Sequence, residues 1–160
     1  MKLDLALREL HGSEQSLAED LLKVAERHEV EHEVHHVALD LARWSGQHVH
    51  DLAAIGPRYG LDPRDDPEQE PGLMATVRTK LSELTDRHPE PGILLLADLR
   101  HLHRTAAGVS LDWELLAQGA QAAQDTELLT LAERCHPQTL RQMRWANAML
   151  KALSPQVLAS

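Results

Sequence analysis

The sequence predicts an all-α protein: a four-helix bundle built from two antiparallel helix pairs, joined by a long crossover that carries a short extra helix. Three observations lead there. Along four long stretches apolar residues recur in alternating steps of three and four, the spacing of a helical stripe that faces a bundle interior. No stretch alternates apolar and polar residues over the length of a strand. Aromatic residues make up 2% of the chain, with no Phe, so the 42% that is hydrophobic rests on Leu, Ala and Val, which suit close helix packing better than a sandwich or barrel. At 160 residues the chain is read as one domain, 1–160, long enough for a real core.

The first helix is expected from about Lys2 to Arg27, with its stripe on Leu3, Leu7, Leu10, Leu17, Leu21 and Val24. A short turn at His28–His32 then makes the next helix an antiparallel neighbour. That second helix is expected from about Val30 to Tyr59, striped by Val30, Val34, Val37, Leu41, Trp44, Leu52 and Ile55. Gly60 caps it and Pro63 stops it. Four prolines in or beside it (Pro57, Pro63, Pro67, Pro71) and the acidic residues Asp65, Asp66, Glu68 and Glu70 make 60–72 an acidic, extended crossover linker, expected to be exposed and mobile. A small helix follows at about 73–87. The third long helix spans about Ile93 to Gln124, on Leu95, Leu99, Leu102, Ala106, Val109, Trp113, Leu116, Ala120 and Ala123. The fourth starts at Asp125, a good N-cap with Glu127 in the first turn. Pro137 should break or kink it, the stripe resuming at Leu140, Met143, Asn147 and Leu150 until Pro155 ends the helix.

Composition narrows the function. A formal charge of −9 disfavours nucleic acid, which needs a basic patch. The longest apolar run, Ile93–Ala97, is too short to span a bilayer, and the start Met1-Lys2-Leu3-Asp4 enters a charged amphipathic helix with no signal-like apolar run. One cysteine, Cys135, excludes a disulfide framework within the chain and fits a reducing compartment, so a cytoplasmic location is expected. No hydrolase nucleophile motif, phosphate-binding glycine loop or Cys-x-x-Cys is present.

Two positions interrupt the stripes. Glu14 fills the gap between Leu10 and Leu17, and His48 fills the gap between Trp44 and Leu52. A carboxylate and an imidazole on two buried stripes point at one interior, where an unpaired ionised group is expensive. They form either a satisfied polar pair that holds the helices, with Ser45 or a water as a third partner, or part of a metal or small-molecule site.

The segment Leu10-His11-Gly12-Ser13-Glu14-Gln15-Ser16-Leu17 resembles the first-helix motif of the bacterial stress-associated ferritin-like family, and Ser110-Leu111-Asp112-Trp113-Glu114-Leu115 resembles its third-helix motif. Two antiparallel pairs with one long connection is also the ferritin-like connectivity. The resemblance implies a dimetal site of iron or manganese, to which Glu14 would contribute. Such a centre needs about four carboxylates and two histidines, with Glu-x-x-His on two helices, because two close cations need anionic bridges between them. The chain departs from this pattern. Aligning Leu10 with Val109 and Leu17 with Leu116 puts Trp113 at the place of Glu14, and Ser45-Gly46-Gln47-His48 lacks the expected Glu. Asp112 and Glu114 flank the third stripe without occupying it.

The expected function is therefore a ferritin-like bundle with an incomplete dimetal site, a non-catalytic binding or structural protein. The alternative is an iron- or manganese-binding redox or stress protein with a reduced ligand set: Glu14, His48, Asp112 and Glu114. Any partner would be a second copy or another protein meeting the helical surface. Four lesser features read as ordinary. The run His28, His32, His35, His36 is interleaved with Glu29, Glu31 and Glu33 and reads as a solvated turn. Glu133-x-x-His136 is a two-residue match, Asp98 and His101 read as a surface hydrogen-bonded pair, and Cys135 reads as a buried inert thiol.

Overall fold

A computed structural model describes residues 2–62 and 90–160. The expected small helix at 73–87 and the linker from 63 onward lie outside the described residues. Among those described there is no strand. Four long helices pack together: α1 (Leu3–Arg27), α2 (His32–Ile55), α3 (Pro91–Ala122) and α4 (Thr126–Ala159), with a short 3-10 turn at Gly56–Tyr59 after α2.

The four buried stripes share one rhythm. In α1 it is Leu3, Leu7, Leu10, Glu14, Leu17, Leu21 and Val24, continued by His28 just beyond the helix. In α3 it is Leu95, Leu99, Leu102, Ala106, Val109, Trp113, Leu116 and Ala120, as expected except that Ala123 lies exposed past the helix end. The stripe of α2 differs from the expected one in its first half. Val34, Ala38, Leu41, Ser45, His48, Leu52 and Ile55 are buried, whereas Val37 and Trp44 are half-buried and Val30 is 84% exposed in the turn before the helix. Ala38 and Ser45 thus occupy the seam beside the bulkier Val37 and Trp44, which flank it.

Pro137 and Pro155 neither break nor end α4, which runs unbroken to Ala159. Pro137 is exposed, so the carbonyl that loses its partner faces water, while Cys135 and Thr139 on either side are buried and hold the helix in phase. Because the helix is continuous, the rhythm carries through the proline to Thr139, Gln142, Ala146 and Met149. The expected Asn147 is exposed, and Leu140, Met143 and Leu150 are half-buried flanks.

The connections are well made. Gly60 takes a left-handed φ of 74° after the 3-10 turn, the conformation glycine adopts without steric penalty. Between α3 and α4, Asp125 N–H donates to Ala120 O (2.9 Å) and Gln124 N–H to Gln121 O (3.1 Å), with Gln124 left-handed at φ 55°. That is a Schellman motif with Gln where Gly is usual. Asp125 then caps α4 by accepting from Leu128 N at 3.1 Å.

Cross-helix pairs define the directions. Going up α1, Leu3 meets Gly119, Glu14 meets Trp113, Asp20 meets His101 and Arg27 meets Asp98, so α1 and α3 are antiparallel. Ser45 with Gln142, His48 with Gln138 and Asp51 with Arg134 make α2 and α4 antiparallel too. The helices therefore sit in the ring order α1, α2, α4, α3, with α2 and α3 parallel across a diagonal. Arg58 and Tyr59 reach the start of α4 at Glu127 and Asp125, whereas Gly92 packs near its end at Val157.

Candidate functional site

One polar cluster sits in the middle of this apolar interior, and every helix contributes to it. Glu14 is 0% exposed and His48 1%. His48 Nδ1 donates to Glu14 Oε1 at 2.8 Å. The same oxygen accepts the indole N–H of Trp113 at 2.7 Å and the hydroxyl of Thr139 at 3.4 Å. His48 Nε2 faces Gln138 Oε1 at 2.6 Å. Trp113, itself fully buried, stands edge-on to the imidazole, with ring centroids 5.8 Å apart and planes at 83°.

Both ring nitrogens of His48 thus face oxygen acceptors, an arrangement only the doubly protonated imidazolium satisfies with two donors. Burial alone would pull the imidazole pKa down. Contacts with the Cys135 sulfur and the Glu14 carboxylate outweigh it and raise the value from 6.5 to about 10. At neutral pH the centre is therefore an ion pair, with indole, hydroxyl and amide groups supplying the hydrogen bonds a buried pair needs. Glu14 Oε2 is the exception: it is buried and has no partner.

A second polar contact lies nearby between α2 and α4, whose backbones approach least closely of the neighbouring pairs. Gln142 Nε2 donates to Leu41 O at 2.9 Å and to Ser45 Oγ at 2.8 Å. Ser45 is thus the partner of Gln142, not the expected third member of the Glu14–His48 pair. The level opposite His48 on α4 is set by Cys135, Gln138 and Thr139.

The structure brings Glu14 and His48 together and places Asp112 and Glu114 elsewhere. Asp112 is half-buried at the flank of α3. Glu114 is exposed, accepts from Gln118 Nε2 at 3.3 Å and lies 3.9 Å from His136 Nδ1. His136 in turn is hydrogen-bonded to Ser110 Oγ at 2.8 Å, and Glu133 is exposed. Asp98 accepts from His28 Nε2 at 2.7 Å and from Arg27 at 3.0 Å, and His101 Nε2 donates to Asp20 at 2.8 Å. His35 donates to Ala25 O at 2.7 Å, with His32 and His36 exposed beside it. Cys135 is buried.

The fit to a dimetal centre is poor. Among the described residues no group of three or more His, Cys, Asp and Glu side chains is placed to hold a metal ion. The interior offers one carboxylate and one imidazole, and at the α3 position level with Glu14 stands an indole N–H, a donor that cannot ligate. An open cleft of about 510 Å³ between the end of α2 and the start of α4, lined by Asp51, Ile55, Glu127 and Arg134 among others, touches none of these interior residues.

Thr139, Gln138 and Gln142 have no place in the sequence expectation, and Trp113 enters it as a stripe residue without its donor role. A signal for two of them was available: stepping by four and three from Leu128 through Ala132 and Cys135 lands on Thr139 and Gln142. No protein-family model matches this sequence, and neither the curated proteins nor the solved structures searched yield a match. Among the described residues no helix is long and apolar enough to cross a membrane.

Proposed function

We propose that the chain is a ferritin-like helical bundle of the cytoplasm with an incomplete dimetal site, in which a buried ion pair takes the place of metal, and that this interior serves a binding or structural role and no catalytic one. The observation that carries this reading is the Trp113 indole N–H bonded to Glu14 Oε1 at 2.7 Å, at the position where the second half of a ferritin-like bundle would supply its own carboxylate. Helix order supports the fold assignment. With α2 and α3 parallel, the chain that joins them starts at one end of the bundle and arrives at the other, as in a ferritin-like crossover.

A second reading is favoured by one atom. Glu14 Oε2 is buried without a partner, an open anionic oxygen that a cation would satisfy. On that reading Glu14 and His48 would bind iron or manganese in a redox or stress protein, with Asp112 or Glu114 completing the set after rearrangement of α3.

Purification without a histidine tag, metal analysis, and thermal melts of wild type and Glu14→Gln with and without chelator separate the two. The ion-pair reading expects no stoichiometric metal and melting that ignores chelator. Stoichiometric iron or manganese, with a chelator-induced fall in Tm confined to the wild type, would overturn it.

A further inference from the structure

We propose that Ser110, His136 and Glu114 form an acyl-transfer site on the outer side of the α3–α4 seam, specific for activated esters of small acyl groups. This inference is independent of how the interior is read. Ser110, Glu114 and Gln118 follow one another at intervals of four along α3, so their side chains line one edge of the helix. His136 of α4 lies across that edge. Its Nε2 is 2.8 Å from Ser110 Oγ, its Nδ1 is 3.9 Å from Glu114 Oε2, and Gln118 holds the other carboxylate oxygen at 3.3 Å.

The order of groups is that of a nucleophile, a base and an orienting acid. Glu114 opposite Nδ1 favours the tautomer that carries its proton there, which leaves the Nε2 lone pair to accept from the Ser110 hydroxyl. The histidine–carboxylate separation is longer than a hydrogen bond, as is common before substrate closes such a site. The groups are within reach of solvent: the His136 side chain is 20% exposed and that of Glu114 55%. Leu111 and Leu115, 65% and 67% exposed, follow Ser110 and Glu114 in the sequence and leave apolar surface on the adjoining outer face of α3.

The step balances without a further reagent. Ser110 Oγ forms a bond to the acyl carbon while its proton passes to His136 Nε2. The bond from that carbon to the alkoxy oxygen breaks, and the leaving oxygen takes the proton from Nε2. Water then repeats the sequence, giving up one proton through His136, releasing the acid and restoring Ser110. The backbone N–H groups around Ser110 lie inside α3 and are spent on the helix, so the helix backbone supplies no oxyanion donor beside it. A missing donor of that kind costs on the order of 10²–10³ in kcat. This confines the substrates to esters whose leaving group is already good, and excludes amides.

The test is hydrolysis of p-nitrophenyl acetate by the full-length, untagged chain, with acid-quenched samples mapped by peptide mass spectrometry. The expected result is an initial burst, an acetyl group on Ser110, and a fall in kcat/KM of at least about tenfold in Ser110→Ala and in His136→Gln, given what a positioned base contributes. Glu114→Gln should lower it less, and Ser110→Cys should keep the burst with the acetyl on the new thiol. Thermal melts of each variant show that the bundle is retained. Turnover unchanged in Ser110→Ala, or acetyl found on surface histidines and lysines and absent from Ser110, would overturn the site, since free imidazoles then account for the rate.

Discussion

Trp113 and Glu14 occupy matching places in the two halves of the bundle, and they meet: the indole N–H of one donates to the carboxylate of the other across 2.7 Å. The oxygen that receives it also takes His48 and Thr139, so one atom gathers donors from three other helices. This convergence sets what substitutions at position 14 should do.

Glu14→Gln keeps an acceptor oxygen of the same reach, but removes the charge facing His48. It should lower unfolding free energy by about 1.5–3 kcal/mol, the range for hydrogen bonds to charged groups. Glu14→Leu strands the His48, Trp113 and Thr139 donors together and should lower it by about 3–5 kcal/mol, as when one partner of a buried pair is deleted. Urea denaturation of both variants checks the order. A leucine variant as stable as wild type would show that the pair contributes nothing.

The His48 imidazole, raised from 6.5 to about 10 in the folded chain, links stability to pH in a definite sense. Its contribution is complete below about pH 6.5, declines above it, and is lost as pH rises through about 10. Wild-type Tm should therefore fall across that window more steeply than the Tm of His48→Gln. Parallel slopes for the two proteins would contradict the buried imidazolium.

Pro137 sits inside a continuous helix with its ring toward solvent. Pro137→Ala restores a backbone donor for the Glu133 carbonyl and should raise stability by up to about 3 kcal/mol, the penalty of proline in a helix interior. Thermal or urea melts measure it. A loss of stability would mean that the bundle is fitted to a bend at this residue.

Gln124 holds a left-handed conformation at φ 55°, which glycine adopts without crowding. Gln124→Gly should stabilise by roughly 1 kcal/mol, because it relieves the Cβ contact while keeping both Schellman hydrogen bonds. Calorimetry of this single variant is sufficient, and a fall in Tm would contradict the turn geometry.

The sequence alone carried the helical class, the phase of α1 and α3, and the meeting of Glu14 with His48, because strongly apolar leucines mark those stripes. It misdirected where hydrophobicity and burial part company. In α2 the bulkier Val37 and Trp44 offer more apolar surface than Ala38 and Ser45, yet the seam takes the smaller residues. In α4 the strong expectation of a break at Pro137 reset the phase and concealed Thr139 and Gln142, whose polar side chains gave no signal of their own. Gln138 could not be found by stripe counting at all, since it flanks the seam and is reached only through His48.

The stripes of α1 and α3 repeat so regularly that sliding one helix along the other by seven residues would still match apolar side chains to apolar side chains. The polar centre removes that freedom. Such a slip would bring Ala106 or Ala120 opposite Glu14 in place of Trp113, leaving the carboxylate without its indole donor. Glu14 and its ring of donors thus choose one register among several that leucine and alanine alone would accept, and the chain has a single alignment of its two hairpins where a purely apolar seam would permit a family of them.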